Sequence, residues 1–205
     1  MLETANTYTT LPRLVVVASG THYWSKLDGS LIDKENPLRY MNSNPPPTLA
    51  YVNFNVCVVI VVLTILNSGI ATTIPKVRAS AIHSKFFTHI FQALNVLLVR
   101  ALNDRLSKAP LVVCSVDPGY CYSQLRRNYT GVGAFIDYLM ERALAITAEE
   151  GSRSIVWSAI GGEEKVEEIR GAYVARSNVT EPSDFVISAK GLVLQSKLWV
   201  RHVLH

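Results

Sequence analysis

An α/β fold built on a parallel sheet is what this sequence predicts, and three observations predict it. Leu14 to Val17 and Leu111 to Val116 are short apolar runs rich in β-branched residues, the composition of strands buried on both faces. Between them, Ala93 to Leu106 is apolar almost all round, as a buried helix is. Strand, crossover helix and strand in that order form a unit whose two strands lie parallel.

The elements follow in order. Met1 to Thr10 reads as the end of a helix that runs straight into the Leu14 strand, with no glycine-rich phosphate loop ahead of it. Ser19 to Tyr40 is a polar loop punctuated by Gly20, Gly29 and Pro37, in which His22, Tyr23 and Trp24 are either a pocket wall or loop anchors. At Met41 the character changes: Asn44 is followed by Pro45, Pro46 and Pro47, and no charged residue appears until Lys76. Leu49 to Ala71 is long enough to cross a bilayer, which takes roughly 20 apolar residues. Its asparagines, Asn53, Asn55 and Asn67, and its β-branched residues suit a buried strand or strand pair as well. Both readings stand open. Lys76 to Gln92 is basic and then aromatic, and its histidines lack the spacing of a helical metal pair, so no metal site is expected.

Pro110 to Leu125 joins the second strand to a Pro118-Gly119 turn and a polar stretch. Ligand crevices in open parallel sheets lie beyond the carboxyl ends of the strands, so this junction is either a ligand site or an ordinary turn. Gly133 to Ala148 reads as a helix with Phe135, Ile136, Leu139, Met140, Ala143 and Leu144 on its apolar face. Thr147 and Glu150 have the spacing of a capping box, opening a further helix that stops at Gly161-Gly162. Glu163 to Arg170 is a solvated charged face, and Ala172-Tyr173-Val174 a short final strand.

At 205 residues the chain is read as one domain, residues 1–205, in which 41–92 is an insertion of different composition. Its net charge of +4 comes from scattered Lys and Arg, which argues against nucleic-acid binding. Cys57, Cys114 and Cys121 include no Cys-x-x-Cys pair and leave one over, so packed thiols of an intracellular protein are expected. Met1-Leu2-Glu3-Thr4 does not begin a signal peptide, and the sequons at Asn128 and Asn178 then carry no weight.

Val15-Val16-Val17-Ala18-Ser19-Gly20, the run Leu94 to Leu102, and Val116-Asp117-Pro118-Gly119 with Ser123 four residues on resemble the second half of a short-chain dehydrogenase/reductase. The likeness is to the retinol-dehydrogenase-like members found in fungi. Glu149 to Trp157 and Gly171-Ala172-Tyr173 extend it, so that it covers Met1 to about Tyr40 and Ala93 to about Lys197. The resemblance implies an incomplete Rossmann-like parallel sheet, the C-terminal half of the fold, carrying an inserted hydrophobic segment. It implies NAD or NADP as cofactor and a small-molecule alcohol or carbonyl as partner. Carried over by position, Ser19 is the catalytic hydroxyl that hydrogen-bonds the substrate oxygen. Pro118 and Gly119 line the nicotinamide, and Ser123 replaces the usual Thr near its carboxamide.

Two departures qualify that expectation. The family's Gly-rich loop and Asn-Ala-Gly element have no counterpart here. Its Tyr-x-x-x-Lys should stand just before Leu94, where this chain has Thr88 and Gln92; Tyr40 to Asn44 and Ala81 to Lys85 each keep one member of the pair. A tyrosine whose pKa of roughly 10 is lowered by a lysine can trade a proton near neutrality, whereas threonine cannot. The expectation is therefore an oxidoreductase fragment that is inactive as the chain stands, with dinucleotide binding in doubt. The alternative is a non-enzymatic protein associated with membranes through residues 49–71. Gln92 can be encoded by CAG, the usual end of an intron, so residues 41–92 are either a genuine insertion or a retained intron.

Overall fold

In a computed structural model that describes residues 1–25, 32–35, 37, 60–61, 85–122 and 131–199, the two valine-rich runs lie side by side. β1 (Arg13–Val17) and β3 (Val112–Asp117) are parallel, with Arg13 opposite Val112 and Val17 opposite Val116. β4 (Tyr173–Ala175) continues the parallel pairing on the far side of β3, Val174 lying opposite Val116. Short antiparallel strands close both edges: β2 (Ile60–Val61) beside β1, and β5 (Asn178–Thr180) beside β4. The order β2-β1-β3-β4-β5 is an open mixed sheet with a parallel centre, the partial Rossmann-like arrangement that the sequence predicts. The strand expected at Ala172 to Val174 forms one residue later, at Tyr173–Ala175, and is not the final one, since β5 follows it as a hairpin partner.

Successive strand residues point to opposite faces, and both faces are covered. α2 (Lys85–Arg105) lies on one. It packs Ala93, Leu94, Val96 and Leu97 against Ala18 and Tyr173, with Val186 of α6 (Asp184–Ile187) and Leu194 of α7 (Ala189–Trp199) beside them. Further along the same helix Val99 meets Val16 and Val113. On the opposite face Val15, Cys114, Val116 and Val174 receive Ala159 of α4 (Ala148–Ile160) and Ile169 of α5 (Val166–Ile169). Fully burying one such valine contributes about 1.5 kcal/mol, and a strand buried on both sides collects that from every residue. α2 begins at Lys85, ahead of the apolar run that predicts it, because Lys85 to Gln92 contains no Gly or Pro to stop it. α1 (Leu2–Tyr8) is the helix expected before β1.

α4 is capped as its sequence requires. The Thr147 hydroxyl accepts from the Glu150 N–H at 3.1 Å, the Glu150 carboxylate accepts from the Thr147 N–H at 2.8 Å, and the helix ends at Gly161. Its last carbonyls meet a side chain that no local pattern announces. Arg13 of β1, 6% exposed, donates to the Ser158 carbonyl at 3.1 Å and to that of Gly161. A guanidinium at a helix C-terminus satisfies orphaned acceptors and complements the dipole.

α3 (Gly131–Leu144) departs from expectation in two ways. It stops at Leu144 because Ile146 pairs with the loop after β3: Ile146 N–H donates to the Tyr120 carbonyl at 2.9 Å, and Tyr122 N–H to that of Ile146 at 3.0 Å. Its apolar face also points outward, with no residue of the helix buried.

No helix among the described residues is long and apolar enough to cross a membrane. The proposed span Leu49 to Ala71 lies outside the described residues except for β2, where Ile60 and Val61 pair with Val16 and Val15 as a strand.

Candidate functional site at the carboxyl edge of the sheet

Parallel strands end together, so the turns that follow β1 and β3 are brought to one edge. Ser19 leaves β1 in an extended conformation and caps a 3-10 helix, Gly20–Trp24. Its hydroxyl accepts from the Thr21 N–H and the Thr21 hydroxyl, both at 3.3 Å, which leaves its own proton for an incoming oxygen. After β3 the Asp117 carboxylate accepts from the Gly119 N–H at 2.8 Å and fixes the Pro118-Gly119 turn. Gly119 has φ +83°, a left-handed conformation that costs other residues about 1–2 kcal/mol. The two turns touch: a Cβ on Gly20 would stand 3.0 Å from Asp117 Oδ2. Ser19, Pro118 and Gly119 thus share one edge, while Ser123 lies outside the described residues.

A polar and aromatic cluster supports that edge. Tyr173 of β4 donates to Asp117 Oδ2 at 3.1 Å. His22, 0% exposed, packs on Tyr173 with ring centroids 4.6 Å apart and on Tyr23 at 4.2 Å. Its two nitrogens are committed: Nδ1 lies 2.8 Å from the Ser19 carbonyl, and Nε2 accepts from the Ser183 N–H at 3.1 Å. A carbonyl only accepts and an amide N–H only donates, so His22 is the neutral tautomer protonated at Nδ1. Of the two readings open for this residue, the structure makes it an anchor. Tyr23 donates to the Glu181 carbonyl, and Trp24 is 66% exposed with its ring edge-on to His89 at 5.5 Å.

Burial lowers the proton affinity of His22 against the opposing pull of Asp117. Burial and then the Asp117 charge push the Tyr173 phenol well above its ordinary range, and Tyr23 moves the same way. Cys114, wholly buried, is pushed up to about 12, and Cys121 is raised by burial and by the charges of Asp117 and Glu150. Thr88 and Gln92 both lie on α2, and Gln92 Oε1 is a buried acceptor with no hydrogen-bond partner among the described residues.

Sequence reasoning passed over Asp117, His22 and Tyr173 as a unit. Asp117 and Tyr173 stand inside stretches that carry the resemblance, but only the β3–β4 pairing brings them into contact.

Fold and edge together define an open-sheet α/β protein with a candidate site where its parallel strands end. The chain is similar to curated fungal proteins of one kind. It is 33% identical over 132 residues to a short chain dehydrogenase/reductase of Cryptosporiopsis sp., covering 63% of this chain and 38% of that protein. It is 33% identical over 118 residues to a short-chain dehydrogenase of Penicillium roqueforti, covering 54% and 30%. A short-chain dehydrogenase/reductase of Phaeosphaeria nodorum is 28% identical over 116 residues, covering 55% and 33%. The chain therefore spans about a third of the length of the curated relatives it matches. No protein-family model and no solved structure matches it.

The residues present fit only part of the dinucleotide that such relatives suggest. A rigid Pro-Gly turn beside a free hydroxyl suits the nicotinamide end. Among the described residues no glycine-rich strand-to-helix turn is present to meet a pyrophosphate, and the N-terminus of α4 is already filled by the Glu150 carboxylate.

Proposed function

We propose that this chain is the substrate side of an NAD(P)-dependent short-chain oxidoreductase acting on a small alcohol or carbonyl compound, and that as it stands it does not turn over. The observation that carries the reading is the meeting of the Ser19 turn with the Asp117-Pro118-Gly119 turn at the carboxyl edge, supported by similarity to proteins named for that activity. Ser19 donates its hydroxyl proton to the substrate oxygen. Pro118 and Gly119 hold the position of the nicotinamide, with Ser123 beside its carboxamide. Thr88, at the position of the family's tyrosine, does not ionise near neutrality and cannot supply the exchanging proton. General acid-base assistance of that kind is typically worth ~10² to 10⁴ in rate, and its loss adds to the missing pyrophosphate contacts.

Spectrophotometric turnover with NADH and NADPH against a panel of aldehydes and ketones, paired with a cofactor fluorescence titration, tests this. No turnover and no saturable cofactor binding are expected. Turnover by the unmodified chain would overturn the inactive reading, and its persistence in Ser19→Ala would overturn the role of Ser19.

A further inference from the structure

The strap that leaves β5 for α6, Glu181-Pro182-Ser183, is held against the 3-10 helix after Ser19 by two side chains of that helix. The Tyr23 hydroxyl donates to the Glu181 carbonyl, and the Ser183 N–H donates to His22 Nε2 at 3.1 Å. Pro182 between them has no N–H to add. Ser183 stands at the head of α6, yet its hydroxyl caps nothing: the residue is 5% exposed, and Oγ is buried without a hydrogen-bond partner. A buried hydroxyl left unpaired is costly and calls for a reason. Here it belongs to the same residue whose amide His22 holds.

We propose that His22 and Ser183 form a two-position clasp worked by protonation: the neutral ring accepts from the Ser183 amide, and the imidazolium donates instead to the Ser183 hydroxyl, turning that peptide away and opening the strap. The chemistry of the ring dictates the exchange. Nδ1 is engaged with the Ser19 carbonyl, which only accepts, so the neutral ring carries its proton there and an added proton goes to Nε2. Nε2–H and the Ser183 N–H are then two donors face to face, and the unpartnered Oγ of the same residue is the acceptor at hand. The charged and titratable groups around the ring come from every side. Asp117 of β3 favours the imidazolium, while burial opposes it. Tyr173 of β4 and Tyr23 pack on the ring and stay uncharged in acid. Glu181 on the strap and Asp184 of α6 are exposed, and α2 brings His89 against Trp24. The contact of Tyr23 with the Glu181 carbonyl does not titrate in mild acid, so it serves as the hinge. The inference does not rest on the oxidoreductase reading, since it concerns only how the strap is held.

Amide hydrogen exchange of the isotope-labelled full chain, read by NMR at Ser183 and along β3 and corrected for the intrinsic rate at each pH, tests the clasp. A closed form that refuses the proton and an open form that takes it near the ordinary value of about 6.5 should lower the protection of Ser183 by up to about 30-fold between roughly pH 7.5 and pH 5. The opening is local and exposes little surface, so exchange at Ser183 should be nearly indifferent to low urea, whereas the β3 amides should follow the urea dependence of global unfolding. His22→Gln keeps an acceptor within reach of the Ser183 amide but does not titrate, and should flatten the pH dependence at that amide. Ser183→Ala keeps the amide and removes the hydroxyl, and should move the loss of protection to lower pH. The pH and urea dependences of the unmodified chain decide the matter even if both variants fail to fold. Protection at Ser183 that does not fall on acidification, that shares the urea dependence of β3, or that keeps its pH dependence in His22→Gln would overturn the clasp, and an unshifted profile in Ser183→Ala would overturn its second position.

Discussion

His22 carries no charge inside the fold, and that sets how stability responds to acid. Its folded-state pKa lies below the unfolded value of about 6.5, so between the two the unfolded chain binds a proton that the native one refuses. Its contribution is complete above roughly pH 6.5 and is lost as pH falls below it. Urea unfolding at neutral and mildly acidic pH should show the midpoint dropping on acidification, with a smaller drop in His22→Gln; equal drops would remove His22 from the account. Cys114 gives a simpler check, because a thiol with no exposed surface and a pKa of about 12 should resist alkylation until the chain unfolds. Labelling of Cys114 at neutral pH in the native protein would contradict the burial. Neither environment is legible locally: the partner of His22 Nε2 is Ser183, and the cover of Cys114 comes from α4 and α5.

At the scale of the elements, the docking of α4 against the sheet depends on two contacts. A Cβ at Gly151 would meet Cys121 Sγ at 2.3 Å and the Pro118 carbonyl at 2.9 Å, and the carbonyl cannot swing away. Gly151→Ala should therefore destabilise by about 1–3 kcal/mol in denaturant titration, through displacement of the first turn of α4 from the Pro118–Cys121 loop. At the other end of the helix, Arg13→Met should cost about 2–3 kcal/mol by leaving two carbonyls without their charged donor. Values near zero would mean that water replaces the guanidinium. β1, β3 and the α4 cap were legible because strand composition and the Thr147–Glu150 spacing are local signals. The direction of α3 was not: periodicity reports that a helix has an apolar stripe and is silent on which side the sheet will take. Arg13 escaped for a different reason, since its acceptors lie on residues 158 and 161, far along the chain.

For the molecule as a whole, the parallel pairing of β1 and β3 was readable from two strands and a helix between them, and the carboxyl edge followed from the topology, whereas the parallel pairing of β4 was not. What could not be read was the support of that edge by Asp117, His22 and Tyr173, which exists only once β4 is in place. If function fails for two separate reasons, repairing one should not be enough. Thr88→Tyr with Gln92→Lys is expected to restore neither turnover nor cofactor binding, because the pyrophosphate still lacks its backbone amides. Measurable reduction of any carbonyl by that double variant would show that the tyrosine and lysine alone were wanting.

The pairing of Arg13 with Val112 joins residues almost a hundred positions apart, and polymer statistics make that separation forgiving in one respect and demanding in another. Loop-closure entropy grows only logarithmically, so halving the connection would change the stability of the sheet by roughly 0.6 kcal/mol. A chain with about half of that connection removed should therefore form the same β1–β3 register at nearly the same thermodynamic cost. The kinetic demand is heavier: β1 and β3 gain nothing from each other until the long closure has happened, so refolding should be slow with or without that half.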